Sequence, residues 1–286
     1  MFTQNIMKYP GIILIMTVFL FQHCTQKPKE SKKEVKNEPA AVTSPAVTSP
    51  KIDDAITILH RKQIPVLCYH QIRDYRPGES SSTRVYIVPV EHFIEQIRML
   101  ADSGYHSIAP AQYYAYLTTG ASLPSKPVMI SFDDTREAQF TVGAAELDTF
   151  HFKGVFFIMT VSIGRPGYMS KEEIKSLSDR GHYIEAHTWD HHNVKKYGPE
   201  DFDIQLVRPK HKLEEIIGKP VDFFAYPFGE WNEAIIPELK NRGYKAAFQL
   251  IEKRDSTEPL YTIRRMIVPG TWDGASLHKW MKADFH

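Results

Sequence analysis

Short apolar segments alternate with longer, helix-patterned segments over most of the chain. Seven of the short ones are rich in β-branched and aromatic residues and have the length of buried strands. They are residues 64–69, 127–132, 154–159, 181–187, 221–227, 245–250 and 262–268. Their spacing leaves room for a helix in most of the intervals.

Helical periodicity is clearest in four intervals. Apolar residues recur every three or four positions in 89–104 and 231–243, and 170–177 opens with a capping-box signature. Residues 200–217 predict a helix that ends at a glycine and that Pro209 should kink or break.

Strands that alternate with helices over one core predict a mainly parallel α/β fold. About seven strands favour a distorted or incomplete (β/α) barrel, and an open doubly wound sheet is the alternative. In either fold, functional side chains lie at the carboxyl ends of the strands.

The first fifty residues differ in pattern from the rest. Residues 11–21 are an uncharged apolar run, which is typical of a signal peptide and short for a membrane span. Cys24 follows at once and resembles the lipidation site of a bacterial lipoprotein, so residues 1–24 are predicted to be a signal peptide. An ordinary secretory signal or an uncleaved anchor are the alternatives, and all three predict export to the cell envelope, facing the periplasm or the cell exterior.

Residues 25–52 are rich in Lys and Glu and then in Pro, Ser and Thr. They have little to bury and are predicted to be a disordered linker that tethers residues 53–286 to a membrane. The whole chain has 286 residues, 42% apolar, and a formal net charge of +1. That balance gives no reason to expect a nucleic acid partner.

Two adjacent aspartates end the second predicted strand. Because successive strand residues point to opposite sides, Asp133 and Asp134 are expected to have different roles. A divalent cation would offset their mutual repulsion, whereas a turn or a helix N-cap is the alternative explanation. His187 and His191, four residues apart, would complete a 2-His-1-carboxylate set that suits zinc, cobalt, nickel or manganese, with His192 as a rival ligand.

Three short motifs resemble a known family. "SFDD" (131–134), "HTWDH" (187–191) and "FAYPFG" (224–229) are similar in order and spacing to the first three motifs of the polysaccharide deacetylases, carbohydrate esterase family four. The resemblance covers about residues 60–275. "IPVLCYHQI" (64–72) resembles the branch that N-deacetylates poly-N-acetylglucosamine exopolysaccharides.

The resemblance implies a hydrolase that removes N-acetyl groups from an N-acetylglucosamine polysaccharide with a divalent metal, zinc first. Asp133 would be the general base, and the backbone N–H near Phe228 would help to stabilise the oxyanion. The implied metal ligands are Asp134, His187 and His191.

Two departures from the family pattern leave roles to be filled. The late Leu-x-His motif that usually supplies the general acid is absent, so His70 is predicted to be the acid and His278 is the alternative. Ala225 stands where the family usually has an arginine that orients the base. Arg264 or Arg265 is expected to replace it, and strand alternation suggests that only one of them faces the site; Arg265 is preferred.

Aromatic residues near these motifs are candidates for sugar contacts, since aromatic faces stack on sugar rings. The predicted substrate-binding residues are Trp189, Tyr226, Pro227 and Trp272. Competing interpretations are a peptidoglycan N-acetylglucosamine deacetylase and a non-catalytic glycan-binding lipoprotein on the same fold. A different zinc amidohydrolase or peptidase is a third.

Overall fold

The structure is a computed structural model that describes residues 51–285. The predicted signal peptide, Cys24 and nearly all of the predicted linker lie outside the described residues. Within residues 51–285, no helix has the length and apolar character needed to cross a membrane.

Strands and helices are numbered in chain order. The strands are β1 (Val66–Tyr69), β2 (Gln71–Ile72), β3 (Ile87–Val88), β4 (His106–Ser107), β5 (Pro127–Asp133), β6 (Gly154–Ile158), β7 (Tyr183–Ala186), β8 (Phe223–Ala225), β9 (Ala246–Phe248) and β10 (Met266–Ile267). The α-helices are α1 (Ala55–His60), α2 (Ser81–Arg84), α3 (Val90–Asp102), α4 (Pro110–Thr119), α5 (Ala145–Thr149), α6 (Lys171–Asp179), α7 (Arg208–Ile217), α8 (Ile235–Asn241) and α9 (Gly274–Asp284). Two π-helices, Gln139–Ala144 and Asp203–Val207, precede α5 and α7.

Seven parallel strands form one curled sheet in the order β10-β1-β5-β6-β7-β8-β9. Each of the seven predicted strand segments contains one of them, which confirms the distorted (β/α) barrel. A bridge from Phe248 to Ile263, just before β10, brings the two edges of the sheet together. The short strands β2, β3 and β4 were not predicted, because two residues are too few to show a period.

The core has an inner and an outer layer, set by strand alternation. Val66, Met129 and Val155 belong to the inner cluster, where Tyr113 and Leu117 of α4 also pack. Their neighbours Leu67, Ile130 and Phe156 belong to the outer cluster beneath the helices. On β5 the inward positions continue from Met129 through Ser131 to Asp133, so the same alternation turns one aspartate toward the barrel interior.

Helix boundaries follow local chemistry more than periodicity. The capping box of α6 is present, with the Ser170 N–H donating to Glu173 and the Glu173 N–H donating to the Ser170 hydroxyl. Pro209 lies in the first turn of α7, directly after a π-helix, and α7 ends at Gly218 with φ 69°. Helix α8 is shorter than its predicted interval because the Asn232 side chain accepts the Ile235 N–H and keeps the preceding residues in a turn.

A buried histidine joins β6 to the loop before β7. His182 accepts the Gly154 N–H at its Nδ1 atom (3.0 Å), and its Nε2 atom lies 3.3 Å from Asp148 Oδ1. Asp148 also pairs with Lys153 and Arg180. Burial, together with these two cations, lowers the pKa of His182 to about 4.

Because the folded pKa of His182 is lowered, the unfolded chain takes up its proton first as the pH falls, and stability is lost below the unfolded value near 6.5. Between about pH 7 and pH 5 this group should remove about 2 kcal/mol of unfolding free energy. His182→Asn keeps an acceptor for the Gly154 N–H and should flatten the decline by that amount, measured by urea denaturation at both pH values. Equal pH slopes for the two proteins would contradict this.

Candidate active site

The chain turns sharply where β5 ends, and this turn separates the two aspartates. Asp133 is the last residue of β5, and Asp134 and Thr135 follow with φ of 75° and 64°. Left-handed backbone is unusual for a β-branched residue. The Thr135 hydroxyl holds the turn by accepting the Met159 N–H (2.8 Å) and donating to the Met159 carbonyl (3.3 Å).

Asp133 is held by a buried arginine. Arg265 Nη1 and Nη2 donate to Asp133 Oδ1 and Oδ2 over 2.7 and 2.8 Å, and each residue is 1% exposed. Burial would raise the pKa of Asp133, but the Arg265 guanidinium, aided by His187, lowers it to about 2. The carboxylate therefore stays ionised and fixed in orientation.

Arg265 and Arg264 diverge as strand alternation predicts. Arg264 points outward and pairs with Asp284 over 3.0 Å, while Arg265 enters the barrel. Ala225 contributes its backbone instead of a side chain, because its carbonyl accepts a hydrogen bond from His187 Nδ1 (2.8 Å).

Asp134, His187 and His191 converge on one point. Asp134 Oδ1 lies 3.6 Å from His187 Nε2 and 3.4 Å from His191 Nε2. With Nδ1–H donated to Ala225, His187 presents its Nε2 lone pair to the carboxylate. Asp134 Oδ1 and His187 Nε2 are buried and have no hydrogen-bond partner.

These donor atoms fit a divalent metal. Acceptors that face one another without a proton donor are unfavourable when buried, and a cation between them removes the conflict. Two ligand atoms about 2.1 Å from a tetrahedral zinc ion lie about 3.4 Å apart, close to the separations of Asp134 Oδ1 from the two histidines. The three residues therefore form a candidate metal centre with room for exogenous ligands.

The two histidines meet through a loop and not through a helical turn. Thr188 and His191 have φ of 65° and 67°, and the His191 N–H donates to the Thr188 hydroxyl over 2.9 Å. Burial lowers the pKa of His191 to about 4, with His187 contributing, so its imidazole is a neutral ligand. His192 points away, its side chain 57% exposed near Asp190, and does not join the cluster.

A cavity of about 420 Å³ opens above these residues. Asp133, Asp134 and His191 line it on one side, and the lining also includes His70, Gln71, Ser82, Thr83, Tyr86, Phe228, Gly229 and Leu250. The Tyr86 ring stands edge-on to His70 at 5.1 Å, and the exposed Phe228 ring packs on His191 at 4.4 Å. Burial lowers the pKa of His70, although Asp134 and Asp133 oppose this.

His278 lies away from this cavity. It sits on α9 with its ring 5.9 Å from Tyr105, and the charges that affect it are Lys282 and Lys126, the latter next to the amino end of β5. Of the two predicted acids, the structure brings only His70 to the aspartates.

One of the predicted sugar contacts, Tyr226, needs correction, and the one by Trp272 stays a prediction. Tyr226 is fully buried and donates its hydroxyl to the Tyr261 carbonyl, so it is a core residue. Trp272 stacks on Trp280 at 5.6 Å and is not among the residues that line the cavity. Pro227 is buried at the start of the turn that carries Phe228. Trp189 is 41% exposed and lies on the loop between His187 and His191. A sugar contact by Trp189 stays a prediction.

Several residues that line the cavity or contact Asp133 were not identified from the sequence. Cys68 is one of them: its Sγ lies 3.6 Å from Asp133 Oδ2, and burial raises its thiol pKa so that it remains a donor. Gln139 and the wall formed by α2 and Tyr86 were also missed. Their sequence carries no motif, and only the fold brings them to the site.

Comparison with known proteins agrees with this geometry. Residues 120–247 match the family model of the polysaccharide deacetylases. The chain carries a polysaccharide deacetylase domain. This domain is a hydrolase that acts on amide bonds.

Curated relatives of the deacetylase domain are distant in sequence. The chain is 23% identical to the putative polysaccharide deacetylase YxkH of Bacillus subtilis, over 94% of this chain and 98% of that protein. It is 26% identical to a poly-beta-1,6-N-acetyl-D-glucosamine N-deacetylase of Staphylococcus aureus, over 65% of this chain and 72% of that protein.

Solved structures share the fold. The Streptococcus pyogenes deacetylase PplD, in complex with acetate, superposes with a TM-score of 0.71 at 20% identity, covering 77% of this chain and 98% of that one. IcaB from Ammonifex degensii gives 0.64 at 23% identity, covering 77% and 97%.

Arg265→Met should destabilise the deacetylase domain by about 3–5 kcal/mol, because it leaves the Asp133 carboxylate buried without its cation. Arg264→Met is the matched control and should cost about 1 kcal/mol or less, since its pair with Asp284 is near the surface. Urea denaturation of both variants measures the difference. Equal losses would show that Asp133 does not depend on Arg265.

Proposed function

We propose that this protein is a metal-dependent N-deacetylase of an N-acetylglucosamine polysaccharide of the poly-N-acetylglucosamine type, with zinc as the preferred ion. One observation carries the proposal. An ionised, arginine-bound carboxylate, Asp133, lies directly beside a cluster of metal-ligand character formed by Asp134, His187 and His191, inside a cavity large enough for a sugar ring. A glycan-binding module would have no need of a buried base next to a metal centre.

Each carboxylate then has its own task. Asp134, His187 and His191 would hold a divalent ion, and that ion would supply the Lewis acidity that activates water and the acetyl carbonyl. Asp133 accepts the proton of the attacking water. Arg265 occupies both carboxylate oxygens, which keeps Asp133 in one rotamer and directs its remaining lone pairs into the cavity.

The leaving amine requires a proton, because an unprotonated amide nitrogen is a very poor leaving group. We assign this proton to His70, which lines the same cavity as Asp133. The carboxylates of Asp134 and Asp133 favour its charged form, and burial opposes it. The backbone at Phe228, held at φ 62° after Pro227, is the candidate oxyanion donor.

The choice of polymer rests on two supports. The poly-beta-1,6-N-acetyl-D-glucosamine N-deacetylase of Staphylococcus aureus is similar to this chain over most of its length. The predicted signal peptide, with a lipid anchor at Cys24, and the linker of residues 25–52 would export the domain and hold it at the cell envelope, within reach of such a polymer. A peptidoglycan strand is the second substrate that a tethered enzyme would reach.

The purified chain should release acetate from a β-1,6-linked N-acetylglucosamine oligomer faster than from a β-1,4-linked oligomer or a peptidoglycan fragment. Chelation should abolish release, and zinc or cobalt should restore it, because the candidate centre uses nitrogen and oxygen ligands. Acetate and free-amine assays measure both effects. A preference for the peptidoglycan fragment would transfer the proposal to that polymer, and turnover that survives complete removal of metal would reject the mechanism.

Substitution should distinguish the roles of the two aspartates. Asp133→Asn should lower kcat by about 10³-fold while bound zinc, measured by elemental analysis, stays near one ion per chain. Asp134→Asn should lose the zinc as well as the activity. His192→Asn serves as the control and should keep both, since His192 points to solvent.

The assignment of the acid is tested by two histidine variants. His70→Ala should lower amide hydrolysis by about 10²-fold, and His278→Ala should leave it unchanged. An aryl acetate, whose leaving group needs no proton, should be affected less by His70→Ala than the glycan amide. Full amide activity in His70→Ala would exclude it as the acid.

A further inference from the structure

A single side-chain amide joins the two strands that carry the proposed acid and base. Gln139 Nε2 donates to the backbone carbonyl of His70 over 2.7 Å and also to the backbone carbonyl of Asp133. Gln139 is fully buried. The two N–H groups of one amide can satisfy two carbonyls at once, so each bond uses its own proton.

The bridge lies just past the end of the β1–β5 ladder, although Asp133 still pairs with Phe157 of β6. The β1–β5 ladder ends at the pair Tyr69 and Phe132, one residue before His70 and Asp133. Beyond that point β1 leaves the sheet, and the Gln71 N–H donates to the Tyr86 carbonyl on the cavity wall. Past the end of this ladder, the Gln139 amide ties the main chain at His70 to the main chain at Asp133.

An irregular helix delivers the amide to this place. Gln139 is the first residue of the π-helix Gln139–Ala144, and π-helices occur often at functional sites. The π-helix also packs tightly against β5 and against β2, which follows β1. A Cβ added at Gly143 would lie 3.0 Å from Ile72 Cδ1 and 3.3 Å from Phe132 Cε1, so a larger residue there would force these side chains or the π-helix to shift slightly.

We propose that Gln139 is a positioning residue for the deacetylation reaction, which fixes the separation of the His70 and Asp133 main chains. This rests on the roles proposed for His70 and Asp133. The acid and the base act on the same acetamide, one at the nitrogen and one at the attacking water. A displacement of about 1 Å between them therefore lowers turnover by about 10²-fold even when both side chains remain.

Gln139→Met tests the bridge, since methionine has a similar length and no amide. Gln96→Met is the matched control, because Gln96 is equally buried and also bonds two groups, the Tyr69 hydroxyl (3.0 Å) and the Trp272 carbonyl (2.6 Å). Both variants should lose stability. Only Gln139→Met should lower kcat on the glycan oligomer, by about 10²-fold, with KM and bound zinc nearly unchanged.

The aryl acetate provides a second readout. Its hydrolysis needs the base but no acid, so Gln139→Met should lower it by only about 10-fold, less than the amide. If Gln139→Met does not fold, Gly143→Ala replaces it, because the added methyl would press on Ile72 and Phe132 and shift the π-helix or these side chains by a few tenths of an ångström while the amide remains. It should show the same split between amide and ester.

The outcomes separate this inference from the proposed function. A wild-type enzyme that deacetylates the oligomer, with equal kcat in Gln139→Met and Gln96→Met, overturns the positioning role alone. Equal losses of activity on the glycan amide and on the aryl acetate overturn the link between Gln139 and His70. A wild-type enzyme with no activity on either substrate overturns the proposed function, and this inference with it.

Discussion

The buried pair of Asp133 and Arg265 is the interaction on which the site depends. It spans three adjacent strand segments, since Arg265 precedes β10, Asp133 ends β5, and Cys68 of β1 lies between them with its thiol directed at the same carboxylate. A buried ion pair is costly to desolvate and contributes little net stability. The pair instead orients Asp133, because a guanidinium that bonds both oxygens of a carboxylate holds that carboxylate in one geometry.

That orientation allows the neighbouring aspartate a separate role. With Asp133 bound by Arg265, Asp134 is the carboxylate that lies nearer to His187 and reaches His191, and the reversal of the chain after β5 directs it there. Five of the seven non-glycine residues with positive φ in residues 51–285 belong to this region: Asp134, Thr135, Thr188, His191 and Phe228. Such conformations persist only where the surrounding structure imposes them, and here the barrel edge and the Thr135 and Thr188 hydroxyl bonds do so.

Much of the fold was accessible from the sequence. Each of the seven barrel strands is an apolar segment of the right length, and the helix ends carry capping residues such as Ser170 and Gly218, whose effect is local. The strands β2, β3 and β4, of two residues each, and the π-helices were not predictable. A pair of residues shows no period, and a π-helix differs from an α-helix by a hydrogen-bond shift that no residue type encodes. The late start of α8, at Ile235, depends on one hydrogen bond that the Asn232 side chain accepts from the Ile235 N–H.

For the site, the sequence by itself determined the types of chemistry. The adjacent aspartates at a strand end and the His-x3-His spacing indicated a candidate metal cluster, and the alternation of Arg264 and Arg265 predicted the partner of Asp133. Tertiary structure decided which distant groups meet them. It placed His70 in the cavity and His278 outside it, buried Tyr226, stacked Trp272 on Trp280, and brought Cys68 and Gln139 to the base. These outcomes depend on how strands far apart in sequence align at one end of the barrel, which is a property of packing in three dimensions and leaves no local pattern in the chain.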